Sequence, residues 1–237
     1  MAAAPSSLSL HAQPADASSV PALGPRLRKL HTRIGRAHHQ AEGMAFSRAL
    51  LEERATPTQI VALLRSLGPA YALIDGWTPV LAARLGVPDG PWPSLARRAA
   101  LAHDLALLSP MPGEPPAAAL LWIDRLRQLA DKEPHRFLAH VYVRYGGDLS
   151  GGQQLAGRAN AILRRAGFPA LSFWVFDQPV AELKHALHDA FERLTLTEEQ
   201  EAQLLDEAEE AFRATQRLLA QLSETAPADA TATPVPA

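Results

Sequence analysis

The 237-residue chain predicts an all-α fold in a single domain, on three observations. Apolar residues recur at spacings of three and four, as in the series Leu27, Leu30, Ile34, His38 and Ala41, which form one stripe of a helix. Two capping boxes, Thr56-Pro57-Thr58-Gln59 and Thr197-Glu198-Glu199-Gln200, stand at the start of long helical runs. Alternating apolar and polar strands and Asn-Gly hairpin turns are missing. With 47% hydrophobic residues and no central linker, one sizeable core is the economical arrangement.

Residues 1–21 are rich in Ala, Ser and Pro, lack the basic start and apolar centre of a secretion signal, and are expected to form a disordered arm. The helical domain is expected over residues 22–222. Pro25 suits the first turn of the opening helix, and the Thr56 cap opens another that Gly68-Pro69 should kink or break. Residues 86–93 read as a further break, followed by helices at about 94–108 and about 116–131, the second carrying Leu120, Leu121, Ile123, Leu126 and Leu129. From Pro134 a segment of about 135–164 reads as one long helix bent at its glycines. Helices at roughly 178–194 and 197–222 complete the core, and residues 223–237 have too little apolar surface to fold.

The charge balance, 23 basic against 25 acidic residues, lacks the positive excess of a nucleic-acid-binding protein. Without cysteine the chain has no disulfide, thiolate chemistry or iron–sulfur cluster, which suits a cytoplasmic protein. No apolar run reaches the 18 or so residues of a membrane-spanning helix. The acidic run from Glu198 to Glu210 reads as a solvated helix face.

The segment Arg144-Tyr145-Gly146-Gly147-Asp148-Leu149-Ser150-Gly151-Gly152-Gln153 stands apart, because four glycines and one acid interrupt a helical pattern. Each glycine costs about 1 kcal/mol of helix preference relative to alanine. Gly147 and Gly151, four residues apart, share a face on which a large flat group could approach the main chain, with Asp148 beside it. The same spacing also suits close packing of two helices. Leu149-Ser150-Gly151-Gly152-Gln153 is also similar to the signature peptide of ABC-type ATPases, but none of Lys29, Lys132 and Lys184 follows a glycine, so the phosphate loop such an ATPase requires is missing.

His38 and His39 point about 100° apart on a helix, and the apolar stripe selects His38 for the inner face. An inward histidine is commonly a structural core residue. Combined with a bare helix wall carrying an acid, it also meets the needs of a haem sandwich, with imidazole on one side of the ring and backbone on the other.

The stretch Leu138-Ala139-His140-Val141-Tyr142-Val143-Arg144-Tyr145-Gly146-Gly147-Asp148-Leu149-Ser150-Gly151-Gly152-Gln153 resembles the distal-helix signature of the haem oxygenases. Ala37-His38-His39-Gln40-Ala41-Glu42, with Phe46 and Arg48, is similar to their proximal segment. Weaker similarity runs through Phe173-Trp174-Val175-Phe176 and Leu194-Thr195-Leu196-Thr197, so that the resemblance covers roughly residues 25–222.

This resemblance implies a helical fold gripping haem b between a proximal helix and a kinked, glycine-rich distal helix, and cleavage of that haem with O2 and electrons to biliverdin, carbon monoxide and ferrous iron. His38 would be the axial ligand. Glu42 either accepts a hydrogen bond near the imidazole or is a solvated acid. Gly147 and Gly151 would form the distal wall, while Tyr142, Arg144 and Asp148 would support ordered water, with Asp148 the principal member; an exposed Arg144–Asp148 pair is the bland alternative. Lys184 matches a basic position expected to hold a propionate, whereas His31 and His188 stand where lysine or arginine is expected, giving a pH-dependent tether. His140 is assigned to packing. Basic residues of the first helix, Arg26, Arg28, Lys29, Arg33 and Arg36, either steer an acidic electron donor such as a ferredoxin or flavoprotein reductase, or are simply solvated. A phytochrome is a candidate acceptor of the biliverdin. A haem carrier or sensor without turnover, and a helical protein whose glycines only pack helices, are the alternatives.

Overall fold

The computed structural model describes residues 23–224, all of whose regular elements are helical. In chain order these are α1 (Pro25–Glu42), α2 (Ala45–Leu51), α3 (Pro57–Arg84), α4 (Trp92–Leu95), α5 (Arg98–Leu107), α6 (Ala117–Lys132), α7 (Pro134–Asp148), α8 (Gly151–Arg165), α9 (Val180–Glu192) and α10 (Glu198–Glu224). The expected arm, 1–21, and most of the expected tail lie outside the described residues, but Ser223 and Glu224 continue α10 instead of opening a tail. No described helix is long and apolar enough to cross a membrane.

α7 is the central helix. Phe137, Leu138, Ala139, Val141 and Tyr145 are fully buried around its circumference, and α3, α6, α8, α9 and α10 pack against it. Burying each large side chain contributes about 1.5–3 kcal/mol, so packing around the rest of α7 holds it helical through its last turn, where Gly146 and Gly147 leave one face uncovered.

Both capping boxes form. Thr56 Oγ1 accepts from the Gln59 amide (3.2 Å) while Gln59 Oε1 accepts from the Thr56 amide (2.9 Å), and Thr197 and Gln200 repeat the exchange at 3.1 and 3.0 Å. α1 is capped differently. Its N-cap, Gly24, has no side chain, and the Glu192 carboxylate at the end of α9 accepts instead from the amides of Arg26 (3.3 Å) and Leu27 (2.8 Å). A Cβ on Gly24 would fall 2.2 Å from Glu192 Cδ, so the glycine makes room for the acid that ties α1 to α9.

Four boundaries differ from the expectations. α3 runs unbroken through Pro69 and Pro79, because buried Leu64, Leu67, Ala70, Tyr71 and Ile74 pack it on both sides of the first proline. The helix expected at 94–108 is divided into α4 and α5 at Ala96-Arg97, where the Arg97 and Arg98 amides donate to Asp75 on α3 (2.8 and 2.6 Å). The expected single bent helix is two helices, α7 and α8, interrupted at Leu149-Ser150, with Ser150 at φ −119°, ψ −101°. α2 is a separate short helix that the apolar spacing did not reveal.

The acidic run of α10 is a solvated face only in part: Glu198, Glu199 and Asp206 are exposed, and the others turn inward or pair with α1. Glu201 binds Arg26 (3.1 Å) and Lys29 (2.6 Å), Asp206 and Glu209 bind Arg33 (2.5 and 3.1 Å), and Glu207 is buried. Three of the five cations singled out on α1 are therefore paired with acids of α10.

Candidate functional site

α1 and α2 face the α7–α8 junction across an open space, with α10 alongside and the loop between α8 and α9 at one end. Two adjoining cavities of about 220 and 300 Å³ occupy this space, and both are lined by His38, Val143, Gly147 and Phe212. The first is mainly apolar, walled by residues such as Phe46, Leu50, Leu67, Phe173 and Trp174, and reaches Asp148 and Gly151. The second carries His31, Tyr142, Lys184 and His188.

The stripe of α1 buries Leu27, Leu30, Ile34, Ala37 and Ala41. Ala37, not His38, thus takes the core position; His38 lies beside the stripe, where its half-exposed ring borders both cavities and meets Phe212 edge-on at 5.7 Å. His39 is 89% exposed. Glu42 sits between them, 3.6 Å from His38 Nδ1 and 3.4 Å from His39 Nδ1, and lines the first cavity.

Across the space, a Cβ added at Gly146, Gly147 or Gly151 would meet nothing within 4 Å. No helix packs on these glycines, so close helix packing does not account for them. Gly152 differs: its added Cβ would press on the Gly147 carbonyl oxygen and Trp174, both at 3.2 Å, so this glycine serves the tight α7–α8 junction.

Asp148 ends α7 with only 3% of its surface exposed. The Tyr71 hydroxyl donates to its Oδ2, Arg144 Nη2 lies 3.7 Å from its Oδ1, and Arg144 Nε donates to the Tyr71 hydroxyl at 3.4 Å. The Arg144 guanidinium lies over the rings of Tyr71 (5.7 Å) and Trp122 (5.8 Å), so the pair is buried rather than a surface bridge. Burial raises the Asp148 pKa, against the lowering effects of Arg144 and Tyr71, to about 6. Such a carboxyl can hold or release a proton near neutrality. Sequence reasoning missed Tyr71; the available signal was a tyrosine between apolar residues of α3, whose hydroxyl must find a partner when buried.

Tyr142 does not join Arg144 and Asp148. Six residues on a helix turn through 600°, which places Tyr142 on another side of α7 from Asp148. Its hydroxyl lies 2.6 Å from His31 Nε2, and its ring stacks with His188 at 6.1 Å. The structure does bring together the three residues expected near a propionate, His31, Lys184 and His188, at the mouth of the second cavity. Burial, followed by Lys184 and His38, lowers the pKa of His31. Burial, followed by His31, Lys184 and His185, lowers that of His188 to about 4.

His140 packs inside. Trp122 Nε1 donates to its Nδ1 (3.2 Å), so Nε2 carries the proton and donates to Glu207 Oε1 (3.1 Å), and Arg125 donates to both oxygens of the same acid.

This arrangement has relatives. The family model described as Heme oxygenase matches residues 25–221. The chain belongs to the haem oxygenase family. It is 37% identical over 99 residues to a heme oxygenase of Takifugu rubripes and 33% identical over 111 residues to one of Guillardia theta, covering 41% and 46% of this chain. These matches span only 36% and 47% of the two relatives' own lengths. The fold of heme oxygenase-2 from Synechocystis sp., crystallised with heme and NO, superposes with a TM-score of 0.74 at 25% identity, over 84% of this chain and 85% of that one. A heme oxygenase from Leptospira interrogans gives the same TM-score at 24% identity, over 83% and 98%.

Proposed function

We propose that this haem oxygenase family member cleaves haem b with O2 and externally supplied electrons, giving biliverdin, carbon monoxide and ferrous iron. One observation carries the proposal: bare backbone at Gly147 and Gly151, with nothing packed on it, faces the same cavity as the half-exposed His38. The residues fit the group. A flat ring finds apolar walls, an imidazole on one side, exposed main chain on the other, and Lys184, His31 and His188 at the mouth for its carboxylates.

When bound, haem supplies both the iron that activates oxygen and the carbon skeleton that is oxidised. His38 would hold the iron through its imidazole, with Glu42 beside that ring. Gly147 and Gly151 keep the opposite face clear of side chains. Asp148, held by Tyr71 and Arg144, orders water and supplies protons beside that face. Tyr142 acts with His31 and His188 at the carboxylate end, away from Asp148. A ferredoxin or flavoprotein reductase in the cytoplasm is the proposed electron donor and a phytochrome a proposed acceptor of biliverdin, although pairing of Arg26, Lys29 and Arg33 with α10 weakens α1 as the docking face.

The decisive experiment supplies reductant and oxygen to the stoichiometric haem complex. Loss of the Soret band with appearance of biliverdin and carbon monoxide supports turnover. A Soret band that persists assigns the chain to haem carriage or sensing.

A further inference from the structure

We infer that Asp104 is a positioning residue: from α5 it fixes the loop of residues 171–176, whose Phe173 and Trp174 close the apolar end of the cavity, and so sets which rim of the ring reaches the Asp148 junction. The inference rests on the haem-cleaving reading of the site.

The loop has no helical or strand hydrogen bonding of its own, so its backbone groups need outside partners. Asp104, fully buried, supplies them for Ser172 and Phe173, while the Leu171 amide donates to Asn160 Oδ1 (2.8 Å) and the Val175 amide turns back to the Ser172 carbonyl oxygen (2.9 Å). The two Asp104 oxygens accept from the Ser172 amide (2.9 and 3.0 Å), the Ser172 hydroxyl (2.7 Å) and the Phe173 amide (2.8 Å). A carboxylate tolerates such burial only when satisfied in this way, and here all of these bonds go to the loop.

Arg97, also buried, grips the other side. Its Nη1 donates to the carbonyl oxygens of Val175 and Phe173, and its guanidinium stacks on Phe176 at 4.1 Å. Asp75 accepts from the Arg97 amide and from the Tyr145 hydroxyl (2.6 Å), which ties this clamp to α7. Gln153 Nε2 donates to the carbonyl oxygens of both Asp148 (3.0 Å) and Trp174 (3.2 Å), closing the circuit at the α7–α8 junction.

The circuit has a defined output. Phe173 meets the Tyr71 ring edge-on at 5.4 Å, and Trp174 abuts the Cβ position of Gly152, so a shift of the loop displaces both the partner of Asp148 and the end wall of the cavity. The cationic and histidine mouth lies at the other end. A ring anchored there by its carboxylates would have Phe173 and Trp174 as the wall at its apolar end.

The test uses the full chain with haem. Asp104→Asn keeps the side chain's shape but turns one acceptor oxygen into a donor facing N–H groups. The expected result is unchanged haem stoichiometry, an altered ratio of biliverdin isomers, and turnover lowered about tenfold, as small misplacements near a reacting group produce. Ser172→Ala, which removes only the hydroxyl's contacts with Asp104 and the Ala100 carbonyl oxygen, should shift the ratio the same way by less, and decides the matter if Asp104→Asn does not fold. Leu126→Ala, in the core of α6, controls for lost stability and should keep the wild-type isomer ratio. A wild-type ratio in both Asp104→Asn and Ser172→Ala, with haem binding and cleavage intact, overturns the inference alone. Absence of haem binding by the unaltered chain overturns the reading of the site and the inference together.

Discussion

Tyr71 on α3 donates its hydroxyl hydrogen to the Asp148 carboxylate at the end of α7, joining residues 77 positions apart. The bond holds an acid with raised pKa at the rim of the open glycine face. Replacing Tyr71 by Phe leaves one Asp148 oxygen without its donor, which should cost about 1–3 kcal/mol in chemical denaturation. Haem binding should persist and biliverdin formation should fall at least about tenfold; undiminished turnover would remove Tyr71 from the proposed machinery.

Asp148 also sets a pH dependence of stability. Its folded pKa of about 6 lies above the ordinary carboxylate value, so the folded state binds more protons, and stability is lost as pH rises from about 4 through about 6. Asp148→Asn removes this term. The difference in unfolding free energy between variant and wild type should move in the variant's favour by on the order of 2–3 kcal/mol between pH 4 and pH 7. A difference independent of pH would show that the carboxyl is not perturbed.

Gly147→Ala separates ligand binding from helix packing. The added methyl group meets no neighbour, and alanine should leave the unliganded protein as stable or more stable by up to about 1 kcal/mol. Haem affinity and turnover should fall nevertheless, because the face it occupies is the one reserved for the ring. Thermal unfolding with and without haem measures both; loss of stability without haem would return the glycine to a packing role.

The two adjacent histidines differ in exposure. His38→Ala should abolish the imidazole-ligand absorption spectrum of the haem complex, whereas His39→Ala, at a position 89% exposed, should keep it. The reverse pattern would move the ligand to the other helix face.

His188 titrates in the opposite sense to Asp148. Its folded pKa of about 4 lies below that of a free histidine, so its contribution is present above about pH 6.5 and is lost as pH falls towards 4. His188→Gln should flatten the decline of Tm over that window. Bound haem should flatten it in the wild type too, since a propionate beside the ring favours the charged imidazole; identical slopes with and without haem would place the propionates elsewhere.

The sequence by itself determined the helical class and both capping boxes, since periodicity and caps act within a few residues, whereas the apolar stripe that pointed His38 inward closes on Ala37 instead. The sequence also marked Gly147 and Gly151 as positions where bare backbone is needed, because glycine inside a helix otherwise gives up stability. Tertiary structure alone decided what surrounds them. Tyr71 reaches Asp148, Asp104 holds Ser172, and Glu192 caps α1 across 165 residues, none of which leaves a local signal. The division of α7 from α8 and the removal of Tyr142 to the company of His31 were set the same way: a helix's register is local, but which side of it meets which neighbour depends on how the whole core packs.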